Sequence, residues 1–375
     1  MFNKLVLFFI SIAFYACSPN AETKNDVALT SIPLSYAKRF TIKTSSDFSV
    51  LELHGNKNDS DVTATFVLYK NQKPDYVKDA YYIKTPVTRF ASMSSIYTTM
   101  IAELNCEDKI IAVDNVDYYN NLFIQQQVKK GTIAELSKGP QIDIEKTVAL
   151  NPDLFLTFGM GSPKDDVDKK LAQSKIPIAV SIDHLEETPL ARAEWIKFFA
   201  YFFNKESLAD SLFQITEKKY KNLKTLAQSS THKPSVLTEI KYGDAWYIPA
   251  GKSFIAHLIE DAGGDYFWKE DTKTGSSAQS FETVYAKAKD CDIWINLYNL
   301  NFKKELLSYD ERYGLFKACK TEQLYNNNKI QNALGYSNYW ETGITHPEDV
   351  LADLIAIFSP TLMPNHTFNY YKKLE

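Results

Sequence analysis

Glu145-Lys146-Thr147-Val148-Ala149-Leu150-Asn151-Pro152-Asp153-Leu154-Phe155-Leu156 carries the first decision about the fold. It reads as a short helix over 143–150, a break at Asn151-Pro152 and an apolar strand over 153–158. The pattern returns as Glu282-Thr283-Val284-Tyr285-Ala286-Lys287 followed by Asp292-Ile293-Trp294-Ile295. Each unit is a glutamate, one or two helical turns, an aspartate and an apolar strand. Two such units in corresponding places read as a pseudo-repeat, hence two similar halves.

Outward from the first unit, strands at 87–91, 109–113 and 178–181 alternate with a helix capped by Ser94 or Ser95 and another over 163–174. Such alternation implies a largely parallel sheet covered by helices. A long helical stretch, 190–227, follows, with a bend near Asn204. At about 1.5 Å per residue its later part runs roughly 30 Å, the width of a small domain. Beyond Pro234 the alternation resumes: a strand at 235–241, helices after Ser253 and from Phe281, a strand at 292–297 and a last helix over 346–358. The expected fold is α/β, with two three-layer α/β lobes joined by one long helix. Ahead of them, segments 36–43, 48–54, 62–69 and 81–85 alternate in the manner of β-hairpins, with Gly55-Asn56 and Lys73-Pro74 as turns. They predict an added N-terminal β-hairpin subdomain or a lid. The boundaries expected are 1–16 leader, 17–35 tether, 36–85 hairpin extension, 86–188 first lobe, 189–228 linking helices and 229–375 second lobe.

The N-terminus reads as an export signal: Lys4, an apolar run over 5–14, and small Ala16 before Cys17. The Ala16-Cys17 junction resembles the lipobox of bacterial lipoproteins, with Phe14 where leucine is usual. Cleavage there leaves Cys17 acylated and anchored on the extracytoplasmic side of the membrane. The polar residues after it form a tether. No second apolar run is long enough to span a bilayer.

Net charge is −4 with no basic block, which argues against nucleic acid. Arginine is confined to Arg39, Arg89, Arg192 and Arg312, whereas aromatics reach 14%. Part of that surplus is available to line a pocket for a large, flat or greasy ligand. Besides Cys17, the cysteines Cys106, Cys291 and Cys319 form no Cys-x-x-Cys pair and read as free buried thiols.

From about Val87 onward the chain resembles the periplasmic binding proteins for cobalamin and ferric siderophores, whose two lobes are joined by one rigid helix. Arg89-Phe90-Ala91-Ser92-Met93-Ser94-Ser95, the helix after it and Lys109-Ile110-Ile111-Ala112-Val113 are similar to that family's opening β-α-β unit. Glu145 through Asn151-Pro152-Asp153-Leu154 matches its Glu … Pro-Asp-Leu segment. Ala262-Gly263-Gly264 and Phe281-Glu282 match its second lobe. Order and spacing carry the resemblance, since no one motif is specific alone. The hairpin segments lie outside it.

The resemblance implies a non-enzymatic monomer without cofactor that delivers a metal chelate to an ABC permease dimer and its ATPase. One glutamate per lobe docks on the permease; by position these are Glu145 and Glu282. A two-fold partner offers the same basic patch twice, so two similar lobes can meet both. The ligand lies between the lobes at strand-end loops. Candidate wall residues are Tyr118, Tyr119 and the Lys138-Gly139-Pro140 loop in the first lobe, with Trp246, Tyr247, Tyr298 and Trp340 in the second. A helix between lobes resists large closure, so the cleft is expected to be largely preformed.

Other classes have less support. Ser35-Tyr36-Ala37-Lys38, Lys273-Thr274-Gly275 and Tyr336-Ser337-Asn338 imitate the three elements of penicillin-binding enzymes, but in the wrong order. The histidines His54, His184, His232, His257, His346 and His366 are scattered, although distant residues can converge on a bare metal ion. A non-transport interaction lipoprotein is the third reading, which an absence of cleft aromatics would favour. Cobalamin, ferric hydroxamate and haem all suit an aromatic cleft, while few arginines disfavour a strongly anionic catecholate.

Overall fold

A computed structural model describes residues 27–55, 62–139, 141–160 and 166–375; the lipobox cysteine, Cys17, and Pro140 lie outside them. The chain opens with β1 (Thr30–Ile32), β2 (Phe40–Thr44), β3 (Phe48–His54), β4 (Val62–Tyr69) and β5 (Tyr81–Lys84), which form one sheet in that order. Its first four strands are antiparallel, but β5 lies parallel to β4. Side chains alternate across the pleat. Phe40, Ile42, Leu51, Leu53, Phe66, Leu68 and Ile83 turn inward, into the core that also holds Trp195, Phe198, Phe199 and Phe202. The expected N-terminal subdomain is therefore a sheet that shares its core with the first lobe.

The first lobe carries β6 (Phe90–Ser92), α1 (Ser95–Glu103), β7 (Ile110–Val113), α2 (Leu122–Lys130), β8 (Ala134–Glu135), α3 (Ile144–Leu150), β9 (Leu154–Phe158), α4 (Lys169–Ala172) and β10 (Ile178–Ser181). Its sheet is wholly parallel in the order β10-β9-β6-β7-β8. Ser94 caps α1 by accepting from Ile96 N, which satisfies one of the unpaired amides of the first turn.

Three helices connect the lobes: α5 (Pro189–Ala193), α6 (Trp195–Phe203) and α7 (Glu206–Gln228). The expected single bent helix is thus divided twice, at Glu194 and at Asn204, where a left-handed φ of 55° ends α6. Its 23 residues make α7 about 34 Å long. Ala209 and Phe213 of α7 sit in the first lobe's core, Tyr220 and Ala227 in the second's.

The second lobe carries β11 (Ser235–Thr238), β12 (Lys241–Tyr242), β13 (Ala245–Pro249), α8 (Phe254–Asp261), β14 (Asp265–Tyr266), β15 (Ser276–Gln279), α9 (Phe281–Ala288), β16 (Ile293–Ile295), α10 (Lys303–Tyr309), α11 (Lys317–Lys320), β17 (Leu324–Asn326), α12 (Pro347–Phe358) and β18 (Lys372–Lys373). The order β14-β11-β16-β17-β18 is parallel except for β18, and β12-β13-β15 form a small antiparallel sheet. The Ala262-Gly263-Gly264 motif ends α8. Gly263 takes φ +85°, and a Cβ on Gly264 would lie 2.8 Å from Ile259.

The pseudo-repeat has a physical basis. In each lobe the repeated strand (β9 or β16) pairs with the lobe's opening strand (β6 or β11). Asp153 Oδ2 accepts from Thr88 N at 3.0 Å, Thr88 Oγ1 at 2.9 Å and Arg89 N at 3.0 Å. Asp292 Oδ2 accepts from Ser235 N at 2.8 Å and Ser235 Oγ at 2.7 Å. Each aspartate ties the entry of the neighbouring strand.

Candidate functional site

The C-terminal ends of β9, β10, β11 and β16 converge on the space between the lobes, where open α/β sheets place their ligands. A cavity of about 620 Å³ occupies it. That is the size of sites for drug-sized or larger molecules. Met160 and His184 to Glu186 supply the first lobe's wall, and Arg192 on α5 the floor between lobes. Five exposed or half-exposed aromatics face them from the second lobe: Tyr242, Tyr247, Tyr298, Tyr309 and Trp340. Each reaches the cavity from a different element, namely β12, β13, the loop after β16, α10 and a turn before α12.

A second cavity of about 320 Å³ adjoins the first and shares Glu239, Tyr298 and Trp340 with it. Its remaining wall is rich in carboxamides: Asn296, Asn299, Asn327 and Asn328. Asn327 Nδ2 and Asn328 Oδ1 are buried without a hydrogen-bond partner.

Arg192 is buried, with its guanidinium 4.8 Å above the Phe254 ring and Nη2 3.5 Å from Asp183 Oδ2. Asp183 also accepts from Tyr97 Oη and Ser181 Oγ, each at 3.0 Å. Lys241 stands 3.6 Å from Asp310. Burial lifts the Glu186 carboxyl, which accepts from the Lys38 and Arg39 amides and from Trp195 Nε1. Burial likewise lifts the Glu239 carboxyl to about 7.

The sequence-derived candidates divide. Tyr247, Tyr298 and Trp340 line the main cavity. Trp246 does not: it is 0% exposed, stacks on Trp294 at 5.6 Å and donates from Nε1 to Thr238 O. On β13 neighbouring residues point to opposite faces, so with Tyr247 turned to the cavity Trp246 must enter the core. Tyr119 is also a core residue at 0% exposure, its hydroxyl donating to Asp114 Oδ1 at 2.7 Å. Tyr118 instead meets Tyr336 across the lobe seam, with ring centroids 5.0 Å apart. Lys138 is exposed and Gly139 partly so, on a loop bordering neither cavity.

Glu145 and Glu282 occupy equivalent positions, both exposed in the first turn of a helix behind a side-chain cap, Asp143 or Ser280. Glu282 lies 3.3 Å from Arg312. Ser35 is part of a structural pin, since the amides of Ser35, Tyr36 and Ala37 all donate to the buried Glu194 carboxylate. His346 pairs with Glu103 across the seam and His366 with Asp353, so these two serve the framework. Sequence reading missed Glu239, Arg192, Tyr242 and Tyr309 as cavity residues. The rarity of arginine was the one available signal, for Arg192.

The family model of periplasmic binding proteins matches residues 91–329, from β6 to just past β17, and leaves the N-terminal sheet outside. An uncharacterized lipoprotein of Methanocaldococcus jannaschii is 26% identical over 333 residues, covering 84% of this chain and 77% of its own. Two solved structures share the fold. The periplasmic heme-binding protein RhuT of Roseiflexus sp. RS-1 superposes with TM-score 0.55 at 16% identity, over 74% of this chain and 100% of its own. The periplasmic vitamin B12 binding protein BtuF of Vibrio cholerae gives 0.52 at 15%, over 74% and 99%. With both lobes, the helical connection and the matched span in agreement, the chain belongs to the periplasmic binding protein family.

Proposed function

We propose that this chain is an extracytoplasmic, lipid-anchored substrate-binding protein that captures a bulky metal chelate and hands it to an ABC permease with its ATPase. The observation that carries this reading is the cavity of about 620 Å³ between the lobes, faced by Tyr242, Tyr247, Tyr298, Tyr309 and Trp340. Rigid aromatic rings give a large contact area at small entropic cost and suit a flat corrin, a hydroxamate chelate or a haem. They also weigh against a lipoprotein that has lost its cargo. The solved neighbours named for heme and vitamin B12 support the ligand class, and the relative named a lipoprotein supports the anchor at Cys17. Glu145 and Glu282 are the docking residues in this reading, one on each lobe.

The test is a thermal-shift panel of ferric trihydroxamate, ferric catecholate, haemin and cyanocobalamin on the purified protein. A tight ligand present at a hundred times its Kd stabilises the fold by about 2.7 kcal/mol through mass action. One class is expected to raise the melting temperature in a saturable manner. A panel without a shift sinks the reading.

A further inference from the structure

Glu239 stands at the junction of the two cavities and lines both. It follows the last residue of β11 in a left-handed conformation, φ 63°, unfavourable for a residue with a Cβ. Asn296 (φ 59°) and Tyr298 (φ 54°), after β16, share that conformation and border the same cavity. Strain of this kind gathers where a site dictates the backbone. The main chain of Glu239 is held firmly: its amide donates to Ile295 O at 3.2 Å, and its carbonyl accepts from Trp294 Nε1 at 2.7 Å.

The carboxylate is held poorly. Oε1 receives, among the described residues, only long contacts, from Thr238 Oγ1 at 3.4 Å and Asn296 Nδ2 at 3.5 Å. Among the described residues no Lys, Arg or His forms an ion pair with it. The two cations bordering the main cavity lie beside other carboxylates, Arg192 3.5 Å from Asp183 and Lys241 3.6 Å from Asp310, although Arg192 Nε has no hydrogen-bond partner of its own. Tyr266, Tyr339 and Tyr371 lie close enough to feel its charge, and burial, aided by that charge, pushes all three phenols upward. His184 and Glu186 line the same cavity from the first lobe. Glu239 is half-buried on the cavity wall, and a carboxylate so placed without a counter-charge is only partly hydrated, which is costly. The missing charge has room to arrive from the cavity.

We infer that Glu239 receives a positively charged part of the ligand, either an ammonium group or the open face of a chelated metal, at the junction of the two cavities. The inference rests on the cargo-binding reading above and narrows its ligand class. The unpartnered Asn327 Nδ2 and Asn328 Oδ1 in the adjoining cavity suit neutral amide or hydroxyl groups flanking that charge.

Two matched pairs of probes separate the sources of charge. The first is a ferric trihydroxamate with a pendant ammonium against its N-acetylated form. The second is aquacobinamide against dicyanocobinamide, in which cyanide closes both faces of the metal. Wild type is expected to prefer the more positive member of one pair by tenfold or more, and Glu239→Gln is expected to reduce that preference to within twofold. The first pair responding assigns the charge to an ammonium, the second to the metal. A preference unchanged in Glu239→Gln, or no preference in wild type, overturns the inference.

Stability of the ligand-free protein gives an independent readout. A carboxyl whose folded value is raised to about 7 makes the fold lose stability as pH rises from about 4.5 through 7. Ligand-free Glu239→Gln is therefore expected to melt at a higher temperature than wild type at pH 8. A lower or equal melting temperature means that the carboxylate is satisfied within the protein and overturns the inference. If wild type binds none of the four probes, the chelate reading fails on that result, and the melting comparison still decides whether Glu239 lacks a counter-charge.

Discussion

Trp246 and Tyr247 are adjacent aromatics on β13, and substitution separates their roles. Trp246 packs among Trp294, Tyr313 and Phe316, so Trp246→Ala is expected to destabilise the second lobe by about 3–5 kcal/mol. Any ligand affinity that survives in the folded fraction stays near wild type. Tyr247→Ala and Trp340→Ala remove half-exposed rings from the cavity wall and are expected to weaken binding by about 1–3 kcal/mol with little change in melting temperature. Calorimetric titration alongside thermal melts checks both, and a stability loss in Trp340→Ala without an affinity loss contradicts the assignment. The pairs Trp246-Tyr247 and Tyr118-Tyr119 explain why the placement of the candidate residues was only half legible. When both neighbours are aromatic, the period-2 pattern has no contrast, and nothing in the sequence says which ring turns inward. Glu239 left no local signal either. What singles it out is its place at the junction of two cavities with no ion-pair partner among the described residues, and that juxtaposition exists only in three dimensions.

At the scale of elements, the pseudo-repeat was legible because each unit holds its own reason. Glutamate and cap start a helix, and the aspartate after it ties the opening strand of the same sheet. The division of the linking helices was not legible, because Glu194 is a good helix former and its neighbours are apolar. Residues far away in sequence meet the chain at this division: the amides of Ser35, Tyr36 and Ala37 converge on the Glu194 carboxylate, to which the neighbouring Lys197 Nζ also donates at 3.1 Å. The same long-range contact makes the N-terminal sheet part of the first lobe, where local alternation alone implied separate hairpins. Hydrogen bonds to a buried charged group contribute about 1.5–3 kcal/mol each. Glu194→Gln is therefore expected to cost at least that much and to loosen the segment before β2. Limited proteolysis near residue 35 checks it, and cleavage no faster than in wild type argues that the apolar contacts of β2 hold the segment alone.

On the proposed reading the whole molecule meets a permease and accepts a ligand without falling open. For docking, Glu145→Arg with Glu282→Arg is expected to abolish uptake in cells while leaving affinity for ligand unchanged, because both side chains are exposed and outside the cavities. Lost affinity in the purified double variant contradicts that division of labour. For closure, three ties join the lobes. Helix α7 runs through both cores. The buried Glu341 carboxylate accepts from the Asn120 and Asn121 amides at 2.6 and 3.2 Å, next to Asn332 Nδ2 donating to Asp117 O at 2.7 Å. His346 Nε2 lies 2.8 Å from Glu103, which Thr345 Oγ1 also meets at 3.1 Å. Lobes tied this way are expected to shift only slightly on binding, and a large contraction in small-angle scattering with ligand would contradict it. The histidine tie adds a pH dependence. Its hydrogen bond to Glu103, helped by Glu348, raises His346 to about 10. A raised histidine stabilises the fold in full below its ordinary value of 6.5, and that contribution is lost as pH climbs through about 10. Melting temperature is therefore expected to decline from pH 6.5 to 10 more steeply in wild type than in His346→Gln, which never carries the charge. Parallel profiles for the two proteins would mean that α7 and the Glu341 contact hold the lobes together without help from the histidine.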